Sequence, residues 1–377
     1  MSVFTVFFCG TGSNSFDIHN KNYPKGEVIS SLASYHKGSE FVDWLICDGP
    51  GSGNLQEDHK WVTPGNYSQF NGILTGAGWD ENVAHALAVL KCELEWKRTQ
   101  LTPQEYEQLK AAKVPIDDAK PGGCWYWRTF EYPERKIIPQ DLQLQKARIM
   151  RKGKLPSRVN IVGWSRGGVS CHMLANAMAK DSALASIPVN IFAVDPVPGM
   201  GNFYKDKCSL QSNVKHYVGV YARDERTKGF SPIVPKLASS TTALILPFPG
   251  RHATLAGNGA IDGSEGTQAL LEPGALIRHL AELYLNDWGT QFSKRHSLTF
   301  KDIAKLYKAI AADQDKYLAL RTKVYFGSPD AIGEERHIGI GELGKGAAFS
   351  EAKGREYEAP KGLSMTDAEV QAFLTRK

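Results

Sequence analysis

The sequence predicts an α/β protein with a mainly parallel sheet flanked by helices, and three observations predict it. Short apolar runs of strand length alternate with longer helical stretches, the rhythm of βα units around a parallel sheet. One run, Val159 to Val162, passes through Gly163-Trp164-Ser165-Arg166-Gly167-Gly168 into the Pro-free, small and apolar stretch Val169 to Lys180, which is a strand, a tight turn and a buried helix in succession. The chain has 377 residues, 42% of them hydrophobic, enough for a sizeable core.

Taken in order, Phe4 to Phe8 is the first strand and ends in the turn Gly10-Thr11-Gly12, and Phe41 to Cys47 is the second, followed by Asp48-Gly49-Pro50-Gly51-Ser52-Gly53-Asn54. Residues 55–150 break the rhythm and read as a helical insertion, a lid or cap. It holds a helix from Trp79 to Leu90 with acidic residues near its start, and another begun by the capping box Leu101-Thr102-Pro103-Gln104-Glu105 with proline at the first helical position. Its aromatic cluster of Trp125, Tyr126, Trp127, Phe130 and Tyr132 suits an acyl pocket, a lipid interface or a core against the sheet, and the sequence does not choose among them. The strands resume with Val159 to Val162, Val189 to Val194, Lys215 to Tyr221 and Ala243 to Pro247. Amphipathic helices at Gly274 to Phe292 and Thr299 to Arg321 come next, then a Gly-rich, charged stretch at 327–363 and a last helix from about Ser364. The expected organisation is a catalytic unit over 1–290 and a helical C-terminal extension over 291–377.

Composition excludes several classes. No apolar stretch approaches the roughly 20 residues that span a bilayer, and the first residues read as a strand, not a signal peptide. The cysteines at 9, 47, 92, 124, 171 and 208 are scattered with no C-x-x-C pair, so buried free thiols are expected instead of disulfides or a zinc site. The net charge of +5 is mild; Lys146, Arg148, Arg151, Lys152, Lys154 and Arg158 concentrate part of it, as a solvated helix face or as a patch suited to an anionic membrane. No nucleic-acid-binding motif is present.

The chemistry centres on Ser165. In G-x-S-x-G the serine sits on a strained strand-to-helix turn, and glycines two before and two after it let the crossing backbones approach. A serine hydroxyl needs an imidazole to take its proton and a carboxylate to hold the imidazole tautomer, in the chain order Ser, Asp or Glu, His. Asp195 ends the strand Val189 to Val194, on the sheet edge that presents Ser165, and is the first choice for the acid; Asp224, ending the next strand, competes. His216 and His279 lie within a strand and a helix, and His296 and His337 in polar surroundings. His252 follows a strand and the turn Pro249-Gly250-Arg251, where a triad histidine belongs. The oxyanion hole would use the backbone N–H of Arg166 with those of the Gly10-Thr11 turn. Neither Gly-rich turn has the spacing of a phosphate-binding loop, and no metal or organic cofactor is called for.

Five motifs in order resemble the bacterial α/β-hydrolases that include the type VI secretion lipase effectors (the Tle-like family). Phe7-Phe8-Cys9-Gly10-Thr11-Gly12 is similar to the family's opening strand and turn, and Gly163-Trp164-Ser165-Arg166-Gly167-Gly168 to its G-F-S-R-G-A elbow. Val194-Asp195-Pro196-Val197 is similar to its F-D-T-V, Asp224-Glu225-Arg226-Thr227 to its D-E-R-R, and Pro249-Gly250-Arg251-His252 to its P-G-V-H. The resemblance implies the α/β-hydrolase fold, a Ser165, His252, Asp195 triad, and phospholipase A or lysophospholipase activity on membrane glycerophospholipids. It further implies a bacterial effector made in the cytoplasm and delivered by a specialised secretion system, with peripheral membrane contact and a secretion or immunity partner. Ala253-Thr254-Leu255-Ala256-Gly257 replaces the family's aspartate and glycines after the histidine, which bears on specificity, and neither residues 258–377 nor much of 55–150 is covered. An esterase or acyltransferase on a soluble substrate, and a binding protein with a vestigial elbow, are the competing readings.

Overall fold

The computed structural model describes residues 2–52, 72–73, 76, 78–92, 120–124, 127–131, 147, 150–199, 202, 204–261, 266–294, 298–322 and 339–340. Its centre is a six-stranded, wholly parallel sheet. The strands are β1 (Val3–Phe8), β2 (Trp44–Cys47), β5 (Arg158–Trp164), β6 (Val189–Val194), β7 (Val214–Ala222) and β9 (Thr242–Phe248), in the spatial order β2-β1-β5-β6-β7-β9. β3 (Lys120–Cys124) and β4 (Trp127–Glu131) form a separate antiparallel hairpin, and the two-residue strands β8 (Ile233–Val234) and β10 (Gly339–Ile340) pair in parallel.

Both faces of the sheet are covered, which is why its strands read as continuous apolar runs. Phe4, Val6, Phe8, Val159, Ile161, Val189 and Ile191 pack with α2 (Trp79–Lys91) and α3 (Arg166–Lys180). The alternate residues Phe7, Val162, Trp164, Phe192 and Val194 pack on the other face with α1 (Val28–Ser34) and α6 (Glu272–Asp287). Each such side chain, fully buried, contributes about 1.5–3 kcal/mol. A polar row interrupts the second face where Thr5, Asn160 and Asn190 occupy one register across β1, β5 and β6. Asn190 Nδ2 donates to Asn160 Oδ1 (2.9 Å), Asn160 Nδ2 donates to Thr290 Oγ1 (2.9 Å), and the Thr290 and Thr5 hydroxyls are 2.8 Å apart, so the buried amides and hydroxyls are bonded to one another.

The order of the strands positions the site. The chain moves from β1 outward to β2, then returns to the opposite side of β1 to lay down β5, so the turns after β1 and β5 lead to helices on opposite faces. This is the topological switch point of the sheet, and the carboxyl ends of the strands at such a point are where open α/β sheets bind ligands. Gly10-Thr11 follows β1 and Ser165 follows its neighbour β5 at this point.

Several expectations acquire a different form. β2 begins only at Trp44 because Phe41 has φ 67°, outside extended backbone. The stretch 55–150 is not only helical: its described residues include the β3–β4 hairpin as well as α2. The helix expected over Thr299 to Arg321 is broken at Asp313 into α7 (Phe300–Ala312), with a Thr299/Asp302 capping box, and α8 (Gln314–Ala319). Arg151 is not part of a charged face: it is buried and donates to the carbonyls of Val89 (2.9 Å) and Leu90 (3.0 Å), closing the last turn of α2. Cys9, Cys47, Cys92, Cys171 and Cys208 are buried free thiols. The helix at Pro103, the side chains of the aromatic cluster, Lys146, Arg148, His296, His337 and the helix near Ser364 lie outside the described residues. No helix among the described residues is long and apolar enough to cross a membrane.

Behind the sheet, His172 of α3 is fully buried, with Nδ1 2.7 Å from the Lys207 carbonyl and Nε2 3.2 Å from the Tyr217 hydroxyl. A carbonyl only accepts, so Nδ1 carries the proton, and burial lowers the imidazole pKa from 6.5 to about 4. A depressed folded-state pKa contributes stability that is complete above pH 6.5 and lost as pH falls toward 4, on the order of 3 kcal/mol for this group. Urea midpoints near pH 7.5 and pH 4.5 are expected to differ more for the wild type than for His172→Gln; equal acid losses in both would contradict it. The buried Glu27, whose pKa is raised to about 7 by burial, acts with the opposite sign in part of this window, so the variant comparison is the informative one.

Candidate active site

Ser165 lies between β5 and α3 with φ 58° and ψ −131°, a conformation that a residue with a Cβ adopts only under constraint. Its neighbours supply the constraint. A Cβ on Gly163 would stand 2.4 Å from the Gly167 carbonyl oxygen, and one on Gly167 would stand 2.3 and 2.4 Å from the carbonyl oxygens of Phe8 and Cys9. Strand β1, the elbow and the first turn of α3 therefore cross in backbone contact. The Ser165 N–H donates to the Val194 carbonyl (3.0 Å) and its own carbonyl accepts from Val197 (3.2 Å), which ties the elbow to the end of β6.

Asp195 follows β6 with φ 38°, its N–H on the Val220 carbonyl (2.6 Å). Its carboxylate is fully buried: Oδ1 accepts from the Ala222 N–H at 3.0 Å, and Oδ2 lies 2.6 Å from His252 Nδ1. His252 opens the single-turn helix α5 (His252–Leu255), a helical turn where the sequence indicated a loop. Its ring packs between Trp164 and Phe230, with centroids 4.9 Å away in each case. Because Nδ1 faces a carboxylate, the neutral ring carries its proton there and presents a lone pair at Nε2. That Nε2 is buried and has no hydrogen-bond partner among the described residues, the Ser165 hydroxyl included. Gly10 admits the arrangement, since a Cβ there would meet the Trp164 indole at 2.4 Å.

Asp224 is engaged elsewhere. It is fully buried, with Arg223 Nη2 at 2.8 Å, Arg321 Nε at 2.8 Å and the Gly250 N–H at 2.9 Å. It thus holds the turn that carries His252 and makes no bond to the imidazole. Glu225, also fully buried, accepts from the His252 N–H (3.3 Å) and stands 3.5 Å from Arg251 Nε. Of the other histidines, His216 stacks on Trp288 and His279 is buried in α6. Sequence reasoning missed Trp164, Phe230 and the Glu225–Arg251 pair; the acidic residue beside Asp224 was the only local signal.

The Arg166 backbone N–H belongs to the first turn of α3, whose N–H groups lack intrahelical acceptors. Its guanidinium donates to the carbonyls of Ile73 (2.6 Å) and Gly72 (3.2 Å) and to Thr11 Oγ1 (3.3 Å), joining the turn after β1 to the elbow; burial lowers its pKa to about 10. Within that turn the Gly12 N–H donates to the Pro50 carbonyl (3.0 Å), which leaves Gly10 and Thr11 as its candidates for oxyanion contact. Among the described residues no group of three or more His, Cys, Asp or Glu is placed to hold a metal ion.

The fold and this edge define an α/β protein with a strained serine and a buried Asp–His pair at the carboxyl ends of a parallel sheet. No protein-family model matches the chain, and no curated protein does. Among solved structures it is similar to an uncharacterized protein from Pseudomonas aeruginosa (17% identity, TM-score 0.46), over 86% of this chain and 51% of that one. It is also similar to the Tle1 effector bound to the VgrG spike of the type 6 secretion system (13% identity, TM-score 0.32), over 68% of this chain and 51% of that one. The chain spans about half the length of each.

Proposed function

We propose that the protein is a serine ester hydrolase of the α/β-hydrolase type that cleaves carboxylic esters of membrane glycerophospholipids, as a phospholipase A or lysophospholipase. The observation that carries the reading is the buried Asp195–His252 pair at 2.6 Å, its Nε2 unpartnered on the edge that presents the strained Ser165. In the proposed mechanism Nε2 takes the Ser165 proton as Oγ attacks the ester carbonyl, and Asp195 stabilises the imidazolium without itself taking the proton. The N–H groups of Arg166 and of Gly10 or Thr11 receive the oxyanion. The imidazolium then protonates the departing alcohol, and water, deprotonated by Nε2, releases the fatty acid and regenerates Ser165. Substrate binding must close the contact between Ser165 and His252, a tightening common in such sites.

A lipid substrate is supported by exposed apolar side chains near the site. Phe16 (63% exposed), Ile73 (44%) and Ile261 (43%) are exposed apolar side chains on segments bonded to the site, the Ile73 carbonyl to Arg166 and the Ile261 carbonyl to Arg251, and would suit contact with a lipid surface. With the motif resemblance this supports delivery as a bacterial effector from the cytoplasm of the producing cell, with a secretion or immunity partner.

The test is fatty-acid release from mixed phospholipid vesicles by the wild type and Ser165→Ala, with products resolved by mass spectrometry. Release is expected in the wild type, reduced at least about a thousandfold in the variant. Absence of release, together with no labelling of Ser165 by a fluorophosphonate, would overturn the reading; labelling without release would transfer it to a soluble ester.

A further inference from the structure

Among the described residues, Lys207 is a cation without a counter-ion. It lies on the short helix α4 (Lys205–Cys208) and is only 7% exposed, yet among the described residues no carboxylate lies within ion-pair distance of its ammonium. Nζ is instead 4.2 Å from the centroid of the Trp79 ring and 5.0 Å from that of Tyr204. Aromatic faces attract a cation but do not replace the hydrogen bonds that an ammonium has in water. The nearest acids, Asp80 and Asp206, act only at longer range, and Arg166 adds charge of the same sign.

The position is firmly held and close to the elbow. The Lys207 carbonyl accepts from His172, and Asn176 Nδ2 donates to the carbonyls of Asp206 (2.7 Å) and Ser209 (2.6 Å), so α4 is fastened to α3 by its backbone. The Trp79 indole N–H donates to Ser170 Oγ (2.6 Å), one helical turn, about 5.4 Å of rise, beyond Arg166, and the Arg166 guanidinium lies over the same ring at 5.9 Å. Two cations thus lie over one indole within a turn of the start of a helix that has no acidic residue in its first turn and no side-chain cap. That combination favours an anion, and Tyr204, 60% exposed, marks the side open to solvent.

We propose that Lys207 is the specificity-determining cation for an anionic group of the substrate, a phosphodiester carried close to the ester that Ser165 attacks. The inference rests on the reading of Ser165 as nucleophile for its meaning, but its test does not depend on hydrolysis.

The test uses the full chain and a short-chain diether phosphatidylglycerol, which has no carboxylic ester to cleave, with binding measured by calorimetry and by the change in intrinsic tryptophan fluorescence. Lys207→Met keeps the aliphatic stem against Trp79 and removes the charge; Lys207→Arg keeps the charge, and thermal melts verify that both fold. Binding is expected to weaken about ten- to a hundredfold in Lys207→Met and to be largely retained in Lys207→Arg. An uncharged diether glyceride is expected to bind both variants like the wild type. Competition by inorganic phosphate in the wild type alone would support recognition of phosphate itself, and its absence would assign the recognition to the lipid phosphodiester. Equal affinity of wild type and Lys207→Met, no binding by the wild type, or an equal loss for the uncharged analogue would overturn the proposal. Lys207-dependent binding without hydrolysis by the wild type would sink the esterase reading and leave the anion site standing; hydrolysis with Lys207-independent binding would do the reverse.

Discussion

Asp195→Asn is expected to lower kcat on any ester the wild type cleaves by about four orders of magnitude, with little change in stability. The amide keeps the shape of the carboxylate and its Oδ1 still accepts from the Ala222 N–H, so the end of β6 stays closed. What changes lies 2.6 Å away, at His252 Nδ1. An amide N–H pointing there demands a lone pair on Nδ1, which forces the ring proton to Nε2, and Nε2 then cannot take a proton from serine. Asp224→Asn should behave in the opposite way. It removes the charge between Arg223 and Arg321 at a fully buried position, and a broken buried pair typically costs about 3–5 kcal/mol; Arg321 is 35% exposed, which places the expectation at the lower end. The paired measurement is kcat and melting temperature for both variants. A folded Asp224→Asn that loses all activity, beside an active Asp195→Asn, would transfer the role of acid to Asp224.

The second large effect is at the elbow. Gly167→Ala places a methyl group 2.3 Å from the Phe8 carbonyl oxygen and 2.4 Å from that of Cys9, both backbone atoms in the centre of the sheet. Flexible side chains give way to such a methyl, but paired strands do not, so destabilisation of more than about 3 kcal/mol is expected, up to failure to fold. Gly168→Ala is the control: its methyl would meet the Pro196 Cβ at 3.0 Å, a contact that a slight shift relieves, for a cost of about 1 kcal/mol. Chemical denaturation separates the two, and a Gly167→Ala protein as stable as the wild type would mean that β1 and α3 do not cross as closely as described.

The sheet was legible because its strands are buried on both faces, so that Phe4 to Phe8 or Val189 to Val194 reads as a strand without any alternation. The β3–β4 hairpin was not: Pro121, Gly122 and Gly123 have poor strand propensity, and the pairing is between Gly123 and Arg128 and their neighbours, not within one run. The break at Asp313 was hidden because the amphipathic pattern continues through it. At the site, Ser165, Asp195 and His252 each follow a strand and were found for that reason. Asp195 and Asp224 could not be separated on that ground, since both end neighbouring strands. The partner that distinguishes them, Arg321, is 97 residues from Asp224, and the Trp164 and Phe230 rings that hold His252 likewise meet it only through the tertiary fold.

The bond from Arg321 to Asp224 carries a consequence for how the molecule is made. Every strand of the sheet, the serine and the histidine have left the ribosome before Arg321 is synthesised, so a nascent chain can hold all three candidate residues while Asp224, which holds the turn bearing His252, still lacks one of its two arginines. Tyr317 and Leu320, buried in the core on the α6 side, arrive equally late. Whatever reactivity the serine has is therefore completed only after Arg321 has been made, and removing residues 313–322 is expected to loosen the setting of His252 as well as one side of the core.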